Sequence, residues 1–244
     1  MPPPRAAAAP LPDLFEPLDE RTQPRVPIEG YPGTARRNPH RPPFRRPVTR
    51  TELTGPMDLA ARLGAEEGCN LAVTAPGRVA MGSLIRVSGR VLDEDGRPVP
   101  GAVVEIWQAN AAGRYAHPLD RRDAPLDPHF LGNGRCCADA EGRYAFFTIK
   151  PGAYPVPDSG RWWRPPHIHF SVLGPGSLSR LVTQMYFPGD PLNAADRIIL
   201  SIPDAEARAR LVARAVPTEE VEGEWLGFAH DMVLRGRHAT PPLP

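Results

Sequence analysis

A series of short segments from Leu84 onward alternates apolar with polar residues, and each is bounded by Gly, Pro, Asn or Asp. Leu84-Ile-Arg-Val-Ser-Gly-Arg-Val-Leu is the clearest, with Gly142–Ile149, Pro166–Leu173 and Ser179–Phe187 after it. A period of two places one set of side chains on a buried face and the other toward solvent. Several short strands separated by turn signals predict an all-β fold, an antiparallel sandwich or barrel with a few short helices. Asp93-Glu-Asp-Gly-Arg-Pro-Val-Pro-Gly is dense turn chemistry, so Leu84–Leu92 and Ala102–Trp107 are expected to form a β-hairpin. Short strands are also expected at Arg197–Ile202 and Phe228–Arg235. Helices are expected at Met57–Glu67, stopped by Gly68, and at Asp204–Ala215, N-capped by Asp204 and stopped by Pro217.

The first part of the chain has another character. The chain carries 33 Pro and 22 Gly among 244 residues, and proline at that density keeps the loops long and forbids helix and most strand pairing in the N-terminal region. Residues 1–25 read as a poorly ordered Pro/Ala arm, and residues 26–55 as an extended Pro/Arg segment suited to lying over a neighbouring subunit or to acting as a solvated linker. The expected division is therefore an arm with a short helix over 1–80 and a β-sandwich domain over 81–244. Lys and Arg number 29 against 28 Asp and Glu, which gives no electrostatic footprint for nucleic acid or an anionic membrane. No apolar run is long enough to span a bilayer, and the opening residues lack the apolar core of a signal peptide. Cys69, Cys136 and Cys137 make neither a disulfide framework nor a CxxC pair, so a cytoplasmic location is expected.

One segment carries chemistry. In Arg161-Trp-Trp-Arg-Pro-Pro-His-Ile-His-Phe, His167 and His169 lie two apart on an expected strand and so share a face. Two imidazoles on one face suit a shared metal ion, although a polar strand face is the plainer reading. Carboxylates near them are sparse, Asp158 being the one just upstream. Tyr115 and Tyr154 follow glycines at strand ends, and a phenol becomes an anionic ligand only where a strong Lewis acid removes its proton. Hard phenolate oxygen would favour Fe(III), while packing with a solvated hydroxyl is the ordinary role of such a tyrosine.

Trp107-Gln-Ala-Asn-Ala-Ala-Gly-Arg-Tyr115, Thr148-Ile-Lys-Pro-Gly-Ala-Tyr154-Pro and Trp163-Arg-Pro-Pro-His167-Ile-His169-Phe resemble, in order and spacing, the signature blocks of the intradiol ring-cleaving dioxygenases. Leu53-Thr-Gly-Pro, Gln184-Met-Tyr-Phe and Leu234-Arg-Gly-Arg-His-Ala-Thr are similar to the iron-bearing β subunits of the family's protocatechuate-cleaving branch. The resemblance implies a mononuclear non-haem Fe(III) held by Tyr115, Tyr154, His167, His169 and a solvent hydroxide. It implies that substrate displaces Tyr154, which accepts a catechol proton, and that the ring opens with O2 between its hydroxylated carbons. It places Arg164 as a fixed cation beside the substrate ring, Gln184 near the O2 side, Tyr31 against the substrate carboxylate, and Trp107 and Ile198 on the pocket wall. A homologous α subunit in a hetero-oligomer is implied too, as is a role in aromatic-compound catabolism through the β-ketoadipate pathway.

One departure bears on substrate. The family's protocatechuate enzymes commonly carry Trp where this chain has Val156, so that wall of the pocket is reshaped. A catechol or hydroxyquinol 1,2-dioxygenase-like enzyme remains an alternative, against which stands the lack of a helical N-terminal dimerisation domain. A catalytically dead β-sandwich subunit is another, since Val87–Val103 also resembles non-catalytic sandwich modules. His117 and His129 are read as loop or packing residues, His40, His230 and His238 as solvated, and Cys136-Cys137 as core edge.

Overall fold

The computed structural model describes residues 19–31, 59–66, 68–174, 180–217 and 225–243. Most of the expected arm, including its Arg-rich part and His40, lies outside them. Short β1 (Cys69–Asn70), β2 (Val73–Ala75) and β3 (Arg78–Val79) lead into β4 (Leu84–Leu92) and β5 (Val103–Gln108). After them come β6 (Asn133–Cys137), β7 (Arg143–Ile149), the two-residue β8 (Tyr154–Pro155) and β9 (Trp163–Arg164), β10 (His167–Leu173) and β11 (Arg180–Tyr186). The chain closes with β12 (Arg214–Val216), β13 (Leu226–Ala229) and β14 (Met232–Val233). The helices are short: α1 (Leu59–Leu63), α2 (Arg197–Leu200) and α3 (Ala205–Ala209).

Two sheets make a sandwich. One runs β1-β7-β4-β13-β12, with β14 also on β4, and the other runs β11-β10-β5-β6. The second is antiparallel throughout, whereas the first mixes antiparallel β4–β7 and β12–β13 with parallel pairings of β1 to β7 and of β13 and β14 to β4. Ile85, Val87 and Phe146 of one sheet meet Ile106, Ile168, Phe170 and Val172 of the other in one apolar core. The Phe146 and Phe170 rings cross at 65° with centroids 5.9 Å apart, the edge-to-face arrangement that aromatic quadrupoles prefer.

Several sequence expectations are corrected. Leu84–Leu92 and the strand after it do not form a hairpin, because β4 and β5 belong to opposite sheets. The turn is real, since Asp93 Oδ1 accepts from Asp95 N and Arg97 N, and Val99 N donates back to Val91 O. Pro98 and Pro100 then supply no N–H to extend the ladder, and Gly101, at φ +68°, turns the chain across the sandwich. Arg197–Leu200 is helical where a strand was expected, because Asp196 caps Ile198 N and burial of both Ile198 and Ile199 overrides their β propensity. The helix capped by Asp204 stops after Ala209, as Ala213 N and Leu211 O are taken by the backbone of Tyr186. The Met57–Glu67 expectation reduces to Leu59–Leu63 within the described residues, closed at Gly64. The last strand is split in two at His230 and Asp231, where Asp231 Oδ1 accepts from Arg90 N. His230 is buried rather than solvated. Residues 19–25 of the expected disordered arm include an ordered turn at Glu20–Thr22, capped by Asp19.

Candidate metal and substrate site

The central strand β10 is buried on both faces. Ile168, Phe170 and Val172 enter the core. His167 and His169 therefore face the outside of the sandwich, which two loops cover, the β5–β6 connection with Tyr115 and the β7–β10 connection with Tyr154. Asn110 shapes the first loop, its Oδ1 accepting from Ala112 N and Arg114 N, and its backbone O accepting from Gly113 N and from Gly152 N of the second loop. The loops touch with no room to spare. A Cβ on Gly152 would stand 2.3 Å from Ala111 O, and one on Gly113 would stand 2.3 Å from Ala153 O. Tyr115 N donates to Asp120 Oδ2 at 2.8 Å, and Tyr154 pairs with Arg164 across the β8–β9 ladder.

These constraints bring four side-chain donor atoms together. Tyr115 Oη lies 3.0 Å from His169 Nε2 and 3.5 Å from His167 Nε2. His167 Nε2 lies 3.2 Å from both Tyr154 Oη and His169 Nε2. His167 Nδ1 faces Pro165 O at 2.6 Å, which assigns its proton to Nδ1 and turns the Nε2 lone pair toward the cluster. Burial holds both imidazoles neutral, pushing His169 down to about 3 and His167 well below the usual range. Burial raises both phenols, Tyr115 well above its ordinary value, so each keeps its proton unless a strong Lewis acid takes it. Ligands about 2.1 Å from one ion stand roughly 3.0–3.6 Å apart at the angles of ordinary coordination, which is the spacing found. No cluster of three His, Cys, Asp or Glu exists among the described residues, so any ion held here would rest on the phenols.

Around the donors lie an ionic network and a cavity. Arg164 is fully buried, its Nε 3.2 Å from Asp196 Oδ1 and its Nη2 donating to Tyr186 Oη at 2.9 Å and to Gln184 Oε1. Burial opposes its charge, but Tyr186 and Asp196 outweigh that and raise its pKa. Gln184, opposite His169 in the β10–β11 register, also accepts from Tyr186 Oη at 2.8 Å. The cavity, about 710 Å³, is lined by Trp107, Tyr115, Tyr154 and His169 together with Tyr31, Leu119 and Val156. Trp107 stacks on His169 at 4.8 Å with 6° between the planes. Tyr31 meets Trp162 edge-on at 5.7 Å. Ile198 does not line the cavity but packs behind its wall, in a cluster with Val156, Trp162 and Tyr186.

A family model described as Dioxygenase matches residues 55–236. The chain is 48% identical over 239 residues to the protocatechuate 3,4-dioxygenase beta chain of Burkholderia cepacia, covering 94% of this chain and 97% of that one. The chain belongs to the intradiol ring-cleavage dioxygenase family. Two further dioxygenases match more distantly. Hydroxyquinol 1,2-dioxygenase of Rhizobium sp. (strain MTP-10005) is 31% identical over 78% of this chain and 66% of its own length. A solved structure of catechol 1,2-dioxygenase from Acinetobacter sp. ADP1 matches 70% of this chain and 57% of its own at 28% identity, with a TM-score of 0.52.

Sequence reasoning missed Asp120, Arg122 and Asp196. Arg122 lies over the Tyr154 ring, its Cζ 4.2 Å from the centroid, and forms a two-pronged pair with Asp120, Nε to Oδ1 at 2.8 Å and Nη2 to Oδ2. In sequence these are charged residues of a polar loop, and nothing in their spacing separates them from a solvated surface.

Proposed function

We propose that this chain is the iron-bearing β subunit of a protocatechuate 3,4-dioxygenase, acting in the cytoplasm in aromatic-compound catabolism. The reaction is cleavage of protocatechuate by O2 between its two hydroxylated carbons to 3-carboxy-cis,cis-muconate. The observation that carries this reading is the convergence of Tyr115, Tyr154, His167 and His169 donor atoms within 3.0–3.5 Å of their neighbours in a chain of this family. The similarity to the Burkholderia cepacia beta chain extends over nearly the whole of both proteins and supports the substrate and a homologous α partner.

Those four residues would hold a mononuclear Fe(III), the two phenolates offsetting its charge. Bound there, iron would supply a Lewis acid that chelates both catechol oxygens and makes the ring reactive toward O2. Tyr154 accepts a catechol proton at Oη as substrate enters. Arg164 sets a permanent positive charge behind the bound ring, where electron density builds during attack. Gln184 and Tyr186 hold that guanidinium in place through their contacts with it. Trp107 fixes the plane of His169 by stacking, and its apolar surface with Val156 keeps water from the reacting ring. Tyr31, at the cavity's side, receives the ring carboxylate, and Ile198 supports the wall from behind.

The test is iron content, visible absorption and oxygen uptake of the chain co-expressed with an α subunit in iron-supplemented medium. A red-brown protein that consumes O2 fastest with protocatechuate is expected, and Tyr115→Phe and His169→Ala are expected to lose iron. Colourless, iron-free wild type, or faster uptake with catechol or hydroxyquinol, would sink the reading.

A further inference from the structure

The loop from Asp120 to Arg122 places three consecutive charged side chains on the cavity. Asp120 is fully engaged. Its carboxylate accepts from Arg122 Nε and Nη2, from Arg122 N and from Tyr115 N, and these contacts hold its pKa at about 2 against the opposing effect of burial. Arg122 is in turn committed to Asp120 and to the face of Tyr154. Arg121 differs from both. It is exposed, lines the cavity, and makes no ion pair or hydrogen bond among the described residues. One positive charge is therefore left over at the cavity rim, above walls that are otherwise largely apolar, such as Leu119, Pro155 and Pro157.

From this imbalance, and resting on the dioxygenase reading above, we infer that Arg121 is a specificity residue that favours catechols bearing an anionic ring substituent over neutral ones. A rim cation with no internal partner acts on whatever charge enters the cavity. The largely apolar walls direct its field into the cavity. Its effect belongs to binding and not to the chemical step, because the substituent it attracts keeps its charge from the bound state to the transition state. An exposed charge acts weakly and is screened by salt, which fixes the expected size and its ionic-strength dependence.

The experiment compares iron-loaded wild type with Arg121→Gln and Arg121→Glu, using protocatechuate and unsubstituted catechol at low and high salt. Arg78→Gln, an exposed arginine off the cavity, controls for net charge. KM for protocatechuate is expected to rise about threefold in Arg121→Gln and about tenfold in Arg121→Glu at low salt. KM for catechol, and kcat for both, should stay within about twofold, and high salt should shrink the differences. A calorimetric arm needs no turnover: binding of 4-hydroxybenzoate should weaken in the same order, and binding of phenol should not. Equal changes for charged and neutral ligands, no change for either, or the same change in Arg78→Gln would overturn the inference. If wild type turned over neither protocatechuate nor catechol, the dioxygenase reading would fail while the calorimetric arm still decided the role of Arg121.

Discussion

Arg164 shows how much of a single residue's role lies outside its own motif. The Trp163-Arg-Pro-Pro-His run marks it as a member of the site, but its partners Gln184, Tyr186 and Asp196 come from later parts of the chain. Asp196, itself fully buried, also accepts from Trp162 Nε1 at 3.2 Å. Such a pair stabilises little in net terms, yet removing one member strands the other charge in the interior. Arg164→Ala is therefore expected to lower the unfolding free energy by about 3–5 kcal/mol in a denaturant titration, besides slowing turnover. An unchanged midpoint would mean that Asp196 does not depend on Arg164. The histidine pair was legible because its spacing alone puts both rings on one face of β10. Arg121 and Arg122 were not, because a run of charges looks the same on a solvated loop and on a cavity rim.

At the scale of elements, the strands with a clear period of two fall where the sequence places them, at Leu84–Leu92, Arg143–Ile149 and His167–Leu173. The errors fall where a tertiary contact outweighs a local signal. Ile198 and Ile199 look like strand residues and are buried in a capped helical turn. The turn after β4 looks like a hairpin and instead delivers the chain to the opposite sheet. The loops that bear the tyrosines are held by close backbone contact, with Gly152 N donating to Asn110 O at 2.9 Å. A methyl at Gly152 would also come within 2.7 Å of Gly113 N. Both loops would then have to part. Gly152→Ala is expected to cost at least about 2 kcal/mol and to lower bound iron, measured by thermal unfolding and metal analysis. Gly96→Ala, at φ +76° with no atom within 4 Å, should cost only about 1 kcal/mol and leave iron content unchanged. Equal metal loss in both variants would show that the loop contact does not position the tyrosines.

For the molecule as a whole, the buried His230 sets one edge of the pH range. Burial pushes it down to about 4, against the small opposing effect of Asp231. Its ring lies 5.9 Å from that of Phe170, and Tyr144 Oη donates to its backbone O at 2.6 Å. The unfolded chain takes up this proton near the usual histidine value of about 6.5. Between the two values the unfolded state binds more protons, so stability is present above about pH 6.5 and falls as the pH drops toward 4. The loss attributable to this residue is about 3 kcal/mol when complete. Denaturation midpoints across this range are expected to fall less steeply in His230→Asn than in wild type, and parallel curves would refute the assignment.

The sandwich class was legible from strand patterning, but strand pairing was not, since register and partner choice depend on side chains far apart in sequence. The pairing of β4 has a further consequence for how the chain acquires its shape. Ile85 to Ser88 are bonded on one side by β7 and on the other by Leu226–Ala229, which lie far away in the sequence. Until these two strands pair, one edge of β4 stays open, a template for the wrong neighbour. Closing so distant a contact is slow, so the sandwich stays one strand short until late in folding.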